Sequence, residues 1–221
     1  GRDKIAIFEF DLIKSKESRL IFEHDEVDVS NLLFSRKRKV LTGVSYTVAK
    51  NEMIFFDKWR EEIQQKLEKK LPGYEVVITS FSKDEAEAVV VTYSDKSRGT
   101  YYHYEVNKNK LTELGKVSPW LNEKNMSEMK PIKYRSRDGL TINGYLTLPK
   151  GTNGKNLPVV VNPHGGPWAR DNWGYKSEIQ FLANRGFAVF QMNFRGSTGY
   201  GREFWEKSFK EWGKSMQDDI T

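Results

Sequence analysis

Residues 158–167, Pro-Val-Val-Val-Asn-Pro-His-Gly-Gly-Pro, constrain this chain more than any other stretch. Val159, Val160 and Val161 are β-branched and have no polar neighbour on either face. Such a run reads as a short strand buried on both sides of a parallel sheet. Asn162-Pro163 ends it at once. Two adjacent glycines then let the backbone approach a ligand closely and turn its N–H groups outward. Donors fixed in that way lower a barrier when they face an oxygen that turns negative. The plain alternative is a glycine turn leaving a core strand.

The bulk properties narrow the classes open to the chain. Its 221 residues suffice for one large domain or two small ones, with 38% hydrophobic and 30% charged residues. No segment approaches the ~18 consecutive apolar residues of a membrane helix, so no membrane span is expected. Gly1-Arg2-Asp3-Lys4 has no signal-peptide core behind it and no initiator Met, which suggests a processed or trimmed fragment. The compartment stays open: cytoplasmic, or periplasmic or secreted if a signal peptide was removed. The absence of cysteine removes disulfides and thiolate metal sites, and His24, His103 and His164 have no metal-ligand spacing. No metal or cofactor is expected. The net charge of +6 is uneven: residues 1–120 carry 21 Lys/Arg against 20 Asp/Glu, residues 121–221 carry 15 against 10. The only dense basic run, Arg36-Lys37-Arg38-Lys39, lies between two strand-like segments and reads as a solvated hairpin tip. No nucleic-acid-binding fold accompanies it, so no nucleic-acid partner is expected.

Short strands with turn signals fill the first half: 5–10, 19–22, 32–34, 40–48 and 53–56. Asp57 then caps an amphipathic helix whose Trp59, Ile63, Leu67 and Leu71 recur every fourth position, ended by Pro72-Gly73. Strands resume at 75–81, 88–93, 100–106 and 110–114. Four short strands in a meander are the unit of a β-propeller blade, and 4–48 reads as a similar set. The expected organisation is propeller blades over 1–117, a linker over 118–130 and a second domain over 131–221. That domain opens with a hairpin turning at Asp138-Gly139. After the His164 loop come a helix over 175–185, an apolar strand over 187–194, a second glycine-rich loop over 195–201 and a helix over 202–212. Both glycine loops leave strand C-termini, the rim where α/β folds bind ligands.

The segment from about 134 to 221 resembles the start of the catalytic domain of the prolyl oligopeptidase family of serine peptidases, closest to its acylaminoacyl-peptidase and dipeptidyl-aminopeptidase-like branch. The residues that carry the resemblance are Asp138-Gly139 with Gly144-Tyr145-Leu146, His164-Gly165-Gly166-Pro167 and 180–186. They continue with 193–201, Asn-Phe-Arg-Gly-Ser-Thr-Gly-Tyr-Gly, and Asp218-Asp219-Ile220. Residues 1–130 resemble the last blades of that family's propeller. The resemblance implies a mixed fold, a partial β-propeller followed by the N-terminal part of an α/β-hydrolase. It also implies a Ser-His-Asp hydrolase acting on short peptides, for which the partner is a peptide substrate; a homo-oligomer is left open.

In such a fold the serine sits in a Gly-x-Ser-x-Gly elbow, and no serine of this chain does. The triad is therefore expected downstream, which would leave this chain inactive alone and strand 187–194 with an open edge. The resemblance places the oxyanion loop at His164, Gly165 and Gly166, with the Gly166 amide as donor and the other two shaping the turn. Arg195, Gly196 and Ser197 match the family's second loop, at the active-site rim. Arg195 is read as an ion-pair brace and Ser197 as a loop-capping hydroxyl, no base being placed for it. Two other readings stay open: a carboxylesterase on the same fold, and a non-enzymatic propeller interaction module.

Overall fold

The computed structural model describes residues 1–221, which form four separate sheets. Strands β1 (Ile7–Asp11) and β2 (Lys16–Phe22) make an antiparallel pair. Strands β3 (Val29–Ser35), β4 (Val40–Thr47) and β5 (Asn51–Phe55) make a three-stranded sheet. The expected single set over 4–48 is thus two sheets. The cause lies at Asp28, which leaves the ladder: its carboxylate accepts from Ile5 N at 2.8 Å, and its own N–H donates to Gly199 O at 3.0 Å.

Helix α1 (Lys58–Lys70) follows, with Asp57 Oδ1 accepting from Arg60 N at 2.9 Å. Its apolar stripe is buried, Ile63, Leu67 and Leu71 packing on Val76, Ala88, Val90 and Tyr104. Burying each such aliphatic side chain stabilises by roughly 1.5–3 kcal/mol. Strands β6 (Glu75–Phe81), β7 (Glu87–Tyr93), β8 (Thr100–Glu105) and β9 (Lys110–Lys116) form the four-stranded meander read from the sequence.

The fourth sheet has the order β10-β11-β13-β12, from β10 (Met129–Arg135), β11 (Thr141–Thr147), β12 (Val159–Val161) and β13 (Ala188–Asn193). Residues 129 and 130, expected in the linker, already pair with Thr147 and Leu146. β12 and β13 are parallel. Two expectations are corrected here. The valine strand is not buried on both faces: Val159 is 58% and Val161 44% exposed, because the two share one face of β12 and that face packs into none of the apolar clusters. The strand expected to have an open edge, β13, lies between β11 and β12 and is almost wholly buried.

Helix α2 (Ser177–Asn184) packs Ile179 and Leu182 against Met129, Tyr145 and Val189. The helix expected over 202–212 stops early, as α3 (Arg202–Glu206). Ser208 folds back on the Trp205 carbonyl at 2.7 Å, and Lys210 at φ +63° turns the chain out of the helical path. Helix α4 (Ser215–Asp218) then seats Met216 beside Ile142, Met192 and Phe194. No helix is long and apolar enough to cross a membrane.

Candidate active site

Because β12 and β13 run parallel and side by side, the two glycine loops leave the same end of the sheet. They are tied together. Thr198 N donates to Ala169 O at 2.9 Å, and the His164 ring stacks on Phe194 with centroids 4.5 Å apart. His164 Nε2 and Ser197 Oγ share a hydrogen bond of 2.8 Å, while Nδ1 stands 2.9 Å from Gly165 O.

A base therefore does stand beside Ser197, contrary to the expectation from sequence. It does not make Ser197 a nucleophile. Ser197 is 0% exposed and already donates its proton to Phe194 O at 2.7 Å. No carboxylate orients the other ring nitrogen. The hydrogen bond joins the two loops as a rivet would.

The Gly165 and Gly166 amides donate to no acceptor in the protein, and both residues are exposed. Gly166 has φ +133°, and a Cβ there would come within 2.7 Å of Trp168 N, so only glycine fits. The loop thus holds two unspent donors in a fixed turn at the C-terminal end of a parallel strand.

Arg195, Gly196 and Ser197, expected on the rim, are buried beneath it. The Arg195 guanidinium grips Asp219 with Nε to Oδ2 at 2.8 Å and Nη2 to Oδ1 at 2.8 Å, and its backbone N–H reaches Oδ2 at 2.8 Å. Asp138 Oδ2 adds a contact at 2.9 Å. Such bidentate charged bonds are strong and directional. The hydrogen bonds to Asp219, then those to Asp138, hold Arg195 still further above its already high ordinary value. Gly196 packs against Ser208, where a Cβ would come within 2.5 Å of its Cβ.

Arg170, Asn193 and Tyr200 form a second tie that the sequence reading missed. Tyr200 OH accepts from Arg170 Nη2 at 2.9 Å and from Asn193 Nδ2 at 2.8 Å. Arg170 Nη1 also reaches Thr47 O on β4 at 3.3 Å. The flanking glycines of Tyr200 were the only local signal; its partners lie 7 and 30 residues away. A cavity of about 760 Å³ opens beside this tie, with Lys4, Asp28, Arg170, Gly201 and Trp205 in its wall.

Residues 173–221 match the prolyl oligopeptidase family. Dipeptidyl aminopeptidase BIII of Pseudoxanthomonas mexicana is 34% identical over 227 residues, spanning 100% of this chain and 33% of that protein. Dipeptidyl peptidase family member 6 of Caenorhabditis elegans is 29% identical over 238 residues, spanning 98% of this chain and 32% of its own length. The chain thus spans about a third of the curated relatives it matches. The acylaminoacyl peptidase of Pyrococcus horikoshii shares the fold at 19% identity, with a TM-score of 0.58 over 89% of this chain and 30% of that one. The family match begins in the segment that leads into α2 and takes in the whole second glycine loop, while the full-length alignment carries the likeness through the propeller-like sheets, and on that ground the chain belongs to the prolyl oligopeptidase family.

Proposed function

We propose that this chain supplies the oxyanion-binding loop of a serine-type peptidase that hydrolyses short peptides, releasing dipeptides from their N-termini as the named relatives suggest. The observation that carries the reading is the pair of open amides at Gly165 and Gly166. In acyl transfer a serine oxygen bonds to the scissile carbonyl carbon while a histidine takes the hydroxyl proton. The carbonyl oxygen becomes an anion, the C–N bond then breaks, and the amine leaves with that proton. Gly166 N–H, with Gly165 beside it, donates to the anion. One such donor is worth about 10²–10³ in kcat. The His164–Ser197 rivet and the Arg195–Asp219 pair keep the loop from relaxing between turnovers. No serine here stands in a Gly-x-Ser-x-Gly elbow, so these 221 residues alone turn over no substrate.

The test uses the full-length protein and dipeptidyl p-nitroanilides. Release of p-nitroaniline, abolished by a serine-directed phosphonate and absent with the 221-residue chain, is the expected result. Cleavage of short acyl esters but not of anilides would turn the reading to a carboxylesterase. No turnover of either would leave the non-enzymatic propeller module.

A further inference from the structure

The basic run at 36–39 is more than a solvated hairpin tip. It borders a groove of about 670 Å³ between β3, the start of α1 and β6, and no residue of the hydrolase-like half lines it. Five cations face this groove, Arg36, Lys37, Arg38, Arg60 and Lys83, against one carboxylate, Glu85. Arg38 is spent: it holds Asp57 at 2.6 Å and Glu85 at 3.3 Å. Arg36, Lys37, Lys83 and Arg60 form no ion pair.

Arg60 is the informative one. It is 5% exposed, and no carboxylate pairs with it. Its Nη1 donates to Gln64 Oε1 at 3.2 Å, and the Phe55 and Phe81 rings lie 5.2 and 5.7 Å from its guanidinium carbon. The rings stabilise a cation but supply no counter-charge. Burial pulls its pKa down to about 10, with Glu68 and Asp57 only partly offsetting that. A guanidinium has five N–H donors, so most of its donors are unspent. A buried cation without a partner is costly, and an anion arriving in the groove would relieve that cost.

We propose that this groove binds a small phosphomonoester, with the phosphate on Arg60 and the basic hairpin tip and the organic body against Leu32 and Phe34. The planar fork of arginine matches phosphate oxygens two at a time. Leu32 and Phe34 are 54% and 55% exposed in the groove wall, an apolar surface beside the charge. A polynucleotide would call for a basic stripe, whereas these cations converge on one cavity. The site is independent of the peptidase reading.

The test is calorimetric titration of the purified protein with AMP, with adenosine and sodium sulfate as controls. AMP is expected to bind with a Kd below about 1 mM at low salt, more weakly as salt rises. Arg60→Met should weaken binding about tenfold or more. Because Arg60 is buried, the exposed pair Arg36→Ala/Lys83→Ala gives a second measure, expected to weaken binding several-fold with an unchanged Tm. The proposal is overturned if AMP gives no binding heat, if adenosine or sulfate binds equally well, if a single-stranded oligonucleotide binds and AMP does not, or if the double variant keeps full affinity.

Discussion

At Gly166 two constraints coincide, a positive φ of +133° and a backbone nitrogen 2.7 Å from where a Cβ would stand. Gly166→Ala must therefore move the loop backbone, at a cost of about 1–3 kcal/mol. A lowered urea midpoint with unchanged slope is the expected reading. Ser197→Ala acts differently, because it removes the hydroxyl that joins Phe194 O to His164 Nε2: Phe194 O keeps only its bond from the residue 197 amide at 2.9 Å, and His164 Nε2 loses its protein partner. The expected loss is about 1–3 kcal/mol. Were Ser197 a nucleophile, the variant would keep its stability and lose labelling by a serine-directed phosphonate. The rivet role demands the reverse in the full-length protein: labelling kept, stability lowered.

Among the elements, α1 shows how a local signal becomes a measurable energy. The hydrogen bonds from Arg38 hold the Asp57 carboxyl below the usual aspartate range, with the Arg60 amide adding to the effect. A folded pKa below the unfolded value of about 3.9 means that the charged form stabilises the fold. That contribution is full above pH ~4 and fades as pH falls through the lowered folded pKa. Asp57→Asn keeps a good cap but loses the ion pair, which at this partly exposed site is worth up to about 1 kcal/mol. Urea midpoints of the two proteins should differ at pH 7 and draw together as pH falls below about 4; a constant gap would mean the charge is idle. The cap, the apolar stripe and the following meander were all legible because each depends on residues close in sequence. The edge position of β12 was not, since three valines look alike whether one neighbour strand or two cover them. Nor was the His164–Ser197 bond, whose partners are 33 residues apart. The early stop of α3 turns on Lys210 adopting a left-handed φ, which no propensity favours.

Across the whole molecule, the second glycine loop is shared property. Tyr200 packs with Val27 and Tyr46 of the first half and Phe204 of the second, in one apolar cluster. Around that cluster, Asp3 O accepts from Arg202 N at 2.8 Å, Asp28 N donates to Gly199 O at 3.0 Å, and Tyr145 OH donates to Ala49 O at 2.7 Å. Met129 N reaches Asp95 Oδ2 at 2.7 Å, and Gln180 Nε2 reaches Asp95 O at 2.9 Å. Contacts so distributed leave neither half a free surface on which to come apart alone, so one cooperative calorimetric transition is expected rather than two. Tyr200 also reports on it. Burial pushes its pKa up to about 12, so the neutral phenol is the form the fold holds. The corresponding stability is fully present below the unfolded value of about 10 and is lost as pH rises through about 12. Tyr200→Phe removes the acceptor of Arg170 and Asn193, costing about 1–3 kcal/mol at neutral pH, and it flattens the alkaline fall in stability. If the two halves are one unit, the variant shifts the entire transition to lower temperature. A variant that splits the transition, or lowers only one of two, would show that the glycine loop fastens the hydrolase-like sheet to itself and not to the blades.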